Sequence, residues 1–301
     1  MQYIGELTAI AAASCWVVTA MVLASAGRSV GATIVNAARI WIAIVLLLIL
    51  VSMTTGTVWP EMSQASLLYL GLSGLIGLAI GDQFLYRALV DAGPRLSTLV
   101  MTITPALTAI IAFPVLNESL HGLDIIGMII TMLGIGIAVI SKQDKNPKKP
   151  YPHLTRGIIF AFLGALGQAI GLILAKLGME DSHVAPLSAT YVRMCFGGIG
   201  ATIMVAIYLM YRKPIEQKNR PQMSKVFYCI LAGAVFGPVL GVWLGLISIK
   251  NIDTGIAATL MSISPILIIP FAKIFEKEEV TLRAVLGAAV SIVGVAILVL
   301  T

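Results

Sequence analysis

Charged side chains inside apolar runs are the first feature of this sequence that could do chemistry. Arg39 stands in the segment NAARI, Arg193 in TYVRM and Asp82 in GLAIGDQFLYRAL. At about 1.5 Å per residue, each arginine would lie roughly 12 Å along its helix. A charge at that depth is expensive unless it faces protein or a watery cavity. We therefore expect these three residues near a functional site.

Two interpretations of the arginines stay open. As a functional pair, Arg39 and Arg193 would attract an anionic group, because a guanidinium binds a carboxylate or phosphate through two hydrogen bonds. As a structural lock, they would bind backbone carbonyls or acids of neighbouring helices. Asn36 lies in the same segment as Arg39, and we group it with the candidate substrate-binding residues.

Asp82 is the only acidic residue well inside an apolar run. It could be a proton-coupling site or bind a substrate amine, and the alternative is a salt bridge to Arg39 or Arg87. Tyr86 lies one helical turn further on the same face. Gln83 lies about 100° round the helix. Both are candidates for substrate binding.

Aromatic and amide side chains form a second group of candidates. Trp16, Gln168, Trp243 and Gln83 fall at related positions of the two chain halves, and together they could line a cavity. For Trp16 the alternative is an anchor at the membrane interface, where tryptophan is enriched.

Two prolines interrupt otherwise apolar segments. Pro105 ends the motif TITP and Pro265 ends SISP. Each proline removes one helical hydrogen bond, which frees the carbonyl of Met101 or Met261. Hydroxyl groups can bond such carbonyls. The prolines are hinge candidates near substrate or, alternatively, packing kinks. The available hydroxyls belong to Thr102, Thr104, Ser262 and Ser264.

The composition excludes several classes of protein. Of the 301 residues, 58% are hydrophobic and 11% are charged. Soluble domains are about 45–50% apolar and about 25% charged. A soluble enzyme, a disordered chain and a nucleic-acid-binding domain are therefore disfavoured. Cys15, Cys195 and Cys229 sit in apolar runs, and the histidines lack metal-ligand spacing, so we expect no disulfide, metal or cofactor.

Long apolar stretches predict an all-α membrane protein with ten transmembrane helices. A spanning helix needs about 20 apolar residues, and open strands cannot satisfy their backbone groups in lipid. The predicted helices are 4–26, 32–54, 66–88, 95–115, 122–141, 156–177, 184–210, 224–248, 254–274 and 281–300.

The cations are unevenly distributed between loops. Sixteen of the 20 Lys and Arg follow odd-numbered helices, whereas only Lys176 and Lys250 follow even-numbered ones. Positive loops stay cytoplasmic, so we expect an inner-membrane protein with both termini outside the cytoplasm. The sixteen are Arg28, Arg87, Arg95, Lys142, Lys145, Lys148, Lys149, Arg156, Arg212, Lys213, Lys218, Arg220, Lys225, Lys273, Lys277 and Arg283.

The chain contains an internal repeat. Asp91–Pro105 reads DAGPRLSTLVMTITP and Asn251–Pro265 reads NIDTGIAATLMSISP, at an offset of 160 residues. Each half holds five helices, an odd number, so the halves must insert with opposite orientation. Inverted repeats are typical of secondary transporters.

The repeat suggests a division of the chain. We expect a first five-helix repeat over 1–141, a basic cytoplasmic linker over 142–155 and a second repeat over 156–301. Glu118 and Glu278 precede the last helix of each half, where we expect them to cap the positive end of the helix dipole.

These motifs resemble the drug/metabolite transporter superfamily, and specifically its ten-helix EamA-type permeases. Gln168 with its neighbouring glycine departs from that pattern, since a tryptophan equivalent to Trp16 is expected there. The resemblance implies a basket-like ten-helix fold, alternating access, and export or exchange of small metabolites, often amino acids. It rests on GELTAIAAASCW at Gly5–Trp16, the arginines of the second and seventh helices, Ala88–Gly93, TITP, SISP, Glu118 and Glu278.

The sequence thus predicts a secondary transporter that exports amino acids or related zwitterions, as a monomer or weak homodimer in the bilayer, with protons as a candidate coupling ion. An alternative is a carrier of phosphorylated sugars, nucleotide sugars or lipid-linked intermediates. From another class, the alternative is a membrane scaffold or embedded enzyme. No nucleophile–base or phosphate-loop motif supports an enzyme.

Overall fold

The computed structural model is helical throughout the part of the chain that it describes. That part comprises residues 3–92, 97, 99–118, 120–141, 153–180, 183–211, 223–267 and 282–300, and it contains no strand.

The helices of the first repeat follow the predicted order. They are α1 (Ile4–Val30), α2 (Ala32–Thr55), α3 (Gln64–Ser73), the π-helical segment π1 (Gly74–Gly81), α4 (Asp82–Asp91), α5 (Thr104–Leu116) and α6 (Gly122–Ser141).

The second repeat has the same sequence of elements. They are α7 (Leu154–Leu177), α8 (Pro186–Tyr211), α9 (Met223–Ala234), the π-helical segment π2 (Val235–Gly241), α10 (Val242–Asn251), α11 (Thr254–Met261) and α12 (Leu282–Leu300).

Ten apolar helical stretches are present in the described residues. Seven are long and apolar enough to span a bilayer, and three further ones are shorter. Because each long stretch has the length that a bilayer requires, the prediction of an all-α, ten-helix membrane protein is confirmed. The third and eighth stretches differ from the expected plain helix, since each contains a π segment.

The two π segments occupy equivalent places in the repeats. They read GLIGLAIG and VFGPVLG, and Gly77 and Gly81 of π1 correspond to Gly237 and Gly241 of π2. A π segment widens the helix by one residue per turn and is frequent at functional sites. Its duplication marks both segments as part of the shared architecture.

The fourth and ninth of the ten apolar stretches, which contain α5 and α11, are each broken at the predicted proline motif. Helical structure stops at residues 102–103 and 262–263 and resumes immediately afterwards. Pro105 lies in the first turn of α5, where a missing N–H is tolerated. Thr104 Oγ1 donates to the Met101 carbonyl at 2.7 Å, and Ser264 Oγ donates to Met261 at 3.2 Å. The carbonyls that the break frees are thus satisfied locally.

Helices of opposite repeats interleave. Extensive packing joins α6 to α12, α2 and π1 to α8, α7 to π1 and α4, and α1 to π2 and α10. The two repeats are therefore intertwined around one another, and their shared interior lies where the π segments meet α7 and α1.

Four glycines form the contact between α6 and α12, which we call the glycine seam. A β-carbon placed on Gly134 would lie 2.7 Å from the Gly287 carbonyl oxygen, and one on Gly294 would lie 2.7 Å from that of Gly127. Small residues allow such backbone-to-backbone approach. Since Gly127 corresponds to Gly287 and Gly134 to Gly294, the seam is itself two-fold symmetric.

Part of the charge pattern lies outside the described residues. This holds for residues 142–152 of the basic linker, for Glu278 and for the Arg28 side chain. It also holds for Arg95, Lys142, Lys145, Lys148, Lys149, Arg212, Lys213, Lys218, Arg220, Lys273 and Lys277.

Candidate functional site

A buried ion pair joins two of the predicted site residues. Arg39 Nη2 of α2 donates to Asp82 Oδ2 at 2.7 Å, and the two side chains are 13% and 10% exposed. Arg39 Nε donates to Asn36 Oδ1 at 2.8 Å. Of the two salt bridges considered for Asp82, the structure contains the one to Arg39, whereas Arg87 is exposed.

The second carboxylate oxygen of Asp82 is bonded from the other repeat. Gln168 Nε2 of α7 donates to Asp82 Oδ1 at 2.7 Å and to the Gly77 carbonyl at 3.3 Å. Asp82 therefore connects the two repeats in the interior. Buried polar groups need such partners, and here the amide of Gln168 satisfies both a carboxylate and a carbonyl of π1.

Arg193 lies beside the same carboxylate but is less well satisfied. It is 3% exposed, and its Nε is buried without a hydrogen-bond partner among the described residues. Asp82 attracts it electrostatically. Its backbone carbonyl lies against Gly74, and a β-carbon on Gly77 would lie 3.7 Å from Arg193 Nη2. The guanidinium therefore rests on π1 with a donor left unused.

The three charged residues do not balance. Arg39 and Arg193 carry two positive charges and Asp82 carries one negative charge, which leaves a formal surplus of one positive charge. Uncompensated buried charge is costly. An anionic group bound beside Arg193 would remove this cost, so the arrangement can bind one negative charge.

The surroundings of the two arginines are related by the repeat. A β-carbon on Gly237 of π2 would lie 3.6 Å from Arg39 Nη1, as Gly77 of π1 lies next to Arg193. Each guanidinium thus lies on the π segment of the opposite repeat. The absence of side chains at these glycines leaves the space that the guanidinium groups occupy.

Trp16 and Gln168 occupy equivalent places against the π segments. A β-carbon on Gly241 would lie 2.6 Å from Trp16 Nε1, and one on Gly81 would lie 3.5 Å from the Gln168 backbone nitrogen. The repeat also pairs Asp82 with Val242. One half of the interior is therefore polar, with Gln168 and Asp82, and the other is apolar, with Trp16 and Val242.

The remaining candidates lie at varied distances from this cluster. Tyr86 is close enough to Arg39 and Asp82 to interact electrostatically with both. Gln83 Nε2 makes a 3.4 Å contact with Thr33 Oγ1. Trp243 is partly buried on α10. Pro105 and Pro265 lie at the helix breaks, which leaves their role as hinges a prediction.

The expected role of Glu118 as a cap of its own helix is wrong. Its carboxylate accepts from Thr254 N and Thr254 Oγ1, both at 2.7 Å, and so caps α11 of the other repeat. The start of α6 is bonded instead by Asp124, whose Oδ2 accepts from His121 N at 2.8 Å. A cap belongs to the nearest free N–H groups in space, and interleaving places those of α11 next to Glu118.

Lys176 is the site-forming residue that sequence reasoning did not single out. Its Nζ donates to Glu118 Oε1 at 2.6 Å and to the Ile252 carbonyl at 3.0 Å. The charge pattern contained a signal for Lys176. Among the ten helices predicted from sequence, Lys176 and Lys250 are the only cations assigned to the loops after even-numbered ones.

A second cross-repeat ion pair lies at the opposite end of the bundle. Arg156 donates to Asp91 through Nε at 2.7 Å and through Nη2 at 2.9 Å. These hydrogen bonds hold the pKa of the Asp91 carboxyl below its usual range. Within the described residues, no group of three or more His, Cys, Asp or Glu side chains could hold a metal ion.

Comparisons with known proteins agree with this architecture. The EamA-like transporter family matches the chain twice, over residues 3–140 and 155–300. A Bacillus subtilis (strain 168) protein named "Uncharacterized transporter YyaM" is 26% identical over 264 residues, which cover 85% of this chain and 81% of that protein. A solved crystal structure superimposes with a TM-score of 0.78 at 16% identity, covering 99% of this chain and 96% of its own. At this identity, the likeness to the crystal structure shows the fold alone.

Proposed function

The chain belongs to the EamA-like transporter family, and on that premise we propose that it exports amino acids or related zwitterions by alternating access. We place it in the inner (plasma) membrane with both termini outside the cytoplasm. The first and second repeats would be 1–141 and 156–301, joined by a cytoplasmic linker over 142–155. A transporter releases its substrate unchanged, so we assign no catalytic residue.

The unused donor of Arg193 carries this proposal. Arg193 is buried, its Nε lacks a partner among the described residues, and the ion cluster has one surplus positive charge. A carboxylate is the group that a guanidinium binds best through two hydrogen bonds. The substrate carboxylate would therefore bind Arg193.

The ammonium group of a zwitterion also finds a partner. Asp82 interacts with both arginines and is the only carboxylate in this described cluster. An ammonium group near Asp82 and a carboxylate on Arg193 would place opposite charges next to each other. Tyr86, Gln83, Trp16 and Trp243 would contact the rest of the substrate.

The pairing of the arginines argues against a phosphate ester. A phosphate carries about 1.5 to 2 negative charges at neutral pH, which two free guanidinium groups would balance. Arg39 is already bonded to Asp82, so one arginine is available rather than two. Phosphorylated sugars are therefore the second candidate, which the following experiment also tests.

The repeat architecture supports alternating access. Both broken helices stop at the same place in their repeats, at residues 102–103 and 262–263. Discontinuous helices at a repeat interface are where transporters bind substrate near the bilayer midplane. Pro105 and Pro265 would act as hinges, and Asp82 would couple transport to protons.

Ligand-dependent thermal stabilisation of the purified protein tests the substrate class. We expect free amino acids to raise the melting temperature, because the carboxylate satisfies Arg193. The matched amino acid amides and the decarboxylated amines lack that group and should give no shift. Stabilisation by sugar phosphates but by no amino acid would overturn the proposal. Efflux from cells, compared with uptake into inverted vesicles, then tests the direction.

A further inference from the structure

The Glu118 carboxylate is the centre of a polar cluster at one end of the helix bundle. Lys176 Nζ donates to it at 2.6 Å, and the backbone and hydroxyl of Thr254 donate at 2.7 Å each. The Glu118 and Lys176 side chains are 8% and 22% exposed. We call Glu118, Lys176 and Thr254 the outer clasp.

The outer clasp joins the two repeats. Glu118 follows α5 of the first repeat, whereas Lys176 lies in the last turn of α7 and Thr254 begins α11, both of the second. The connections after α2, α5, α7 and α10 lie at this end of the bundle, together with the start of α1. These are the connections that the charge pattern predicts to face outside.

The two broken helices meet at the outer clasp. Glu118 follows the end of α5, and Thr254 is the first residue of α11. Further in, a β-carbon on Gly255 of α11 would lie 2.9 Å from the Ala109 β-carbon of α5. Separation of α5 from α11 would open a path from this end towards the interior, and it would break the bonds of Glu118.

We propose that the outer clasp is the outer gate of the transporter, closed in this structure, and that it opens to release substrate outside. The proposal rests on the proposed alternating-access transport. Opening separates a buried carboxylate from a partly buried ammonium, and the loss of this ion pair is offset only if water enters to solvate both charges. The outer gate therefore stays closed unless water reaches the Glu118 and Lys176 charges.

A cysteine placed beneath the outer clasp reports its opening. Ala258 lies one turn in from Thr254 on the same face of α11 and is 5% exposed. In a variant without the native cysteines, we would introduce Ala258→Cys and measure labelling by a membrane-impermeant maleimide on intact cells. Glu118→Gln and Lys176→Met should each raise the labelling rate about tenfold, because each removes one charge of the pair.

Lys250→Met is the matched control. Lys250 lies at the same end, but its Nζ donates to the Val184 carbonyl within the second repeat at 2.7 Å. Its removal should leave the labelling rate unchanged. Since Glu118→Gln also weakens a helix cap, Lys176→Met is the more selective variant. Unchanged labelling in folded Lys176→Met protein would overturn the proposal.

Two further outcomes separate the gate from the proposed function. Increased labelling in inverted vesicles alone would place the clasp at the cytoplasmic end and contradict an outer gate. Labelling requires no substrate, so the expected increase would support the gate even if no amino acid stabilised the protein. Amino acid stabilisation with unchanged labelling would reject the gate while leaving the substrate proposal in place.

Discussion

The two halves of the interior have the same backbone plan but different chemistry. In one half, Gln168 donates a hydrogen bond of 2.7 Å to Asp82, which directly follows π1. In the other, Trp16 lies against Gly241 of π2, and Val242 stands where Asp82 would be expected. The polar pair satisfies its own hydrogen bond, whereas the apolar pair contains no carboxylate that would need a partner.

This difference explains why the two equivalent arginines, Arg39 and Arg193, differ in their hydrogen-bond partners. Arg39 has a carboxylate at 2.7 Å, whereas the Nε of Arg193 has no hydrogen-bond partner in the described part of the chain. Symmetry supplies two cation sites, and the loss of one acid leaves one of them available. Charge asymmetry within a symmetric scaffold thus distinguishes a helix lock from a candidate binding group.

Removal of either arginine should have the largest effect and should separate their roles. Arg39→Gln leaves Asp82 buried without its cation, which costs about 3–5 kcal/mol and should lower the melting temperature strongly. Arg193→Gln should keep the melting temperature and lower amino acid affinity about a hundredfold. Calorimetric titration and thermal unfolding of both variants measure this. A destabilised Arg193→Gln protein with normal affinity would make Arg193 a structural lock.

A carboxylate at position 242 would complete the symmetry of the two repeats. It should weaken amino acid binding, though somewhat less than Arg193→Gln does. Val242→Asp places a carboxylate where the repeat predicts a partner for Arg193, so the surplus charge disappears. We expect affinity for amino acids to fall about thirtyfold. Val242→Asn is the neutral control with a side chain of the same size as aspartate, and its affinity for amino acids should fall much less. Equal losses in both variants would indicate a steric effect and argue against the charge balance.

Asp82→Asn should remove the response of transport to pH. We expect transport by reconstituted protein to become about tenfold slower and flat between roughly pH 6 and 8, because an amide cannot carry a proton. Gln168→Leu removes a hydrogen bond but keeps the carboxylate, so it should retain the pH response. Transport by Asp82→Asn with the wild-type pH profile would exclude Asp82 as the coupling group.

Asp91→Asn should have the smallest effect, a fall in melting temperature of about 2 °C or less, since Arg156 is half exposed and water screens the pair. Arg156 lowers the pKa of Asp91 in the fold, so this stabilisation exists above the usual aspartate pKa of about 3.9 and disappears as the pH falls through the lowered value. Unfolding of wild type and variant at neutral and acidic pH measures it. The equivalent Asn251→Ala should show no such dependence.

Helix number and the inverted repeat could be predicted from sequence because a bilayer imposes strong rules. Apolar length determined the ten helices, and five helices per half required inversion. The predicted start of α6 at residue 122 and the end of α7 at residue 177 agree with the structure. The break at TITP was located because proline removes a specific hydrogen bond.

Long-range partners could not be predicted in the same way. Glu118 and Thr254 are 136 residues apart, and only the interleaving of the repeats brings them together. The π segments were also missed, since a one-residue widening leaves apolar length and composition unchanged. The Arg39–Asp82 pair was one of the alternatives stated for Asp82, whereas the bond from Gln168 to Asp82 depends on the approach of α7 to π1.

The glycine seam between α6 and α12 has an evolutionary consequence. Its two-fold symmetry means that a single five-helix chain could form the same contact with a second copy of itself, using Gly127 and Gly134 twice. In such a homodimer every mutation would appear in both subunits. Within one chain that constraint does not hold, so tryptophan and glutamine can stand at equivalent positions. The covalent link between the repeats is therefore what permits a chemically asymmetric interior.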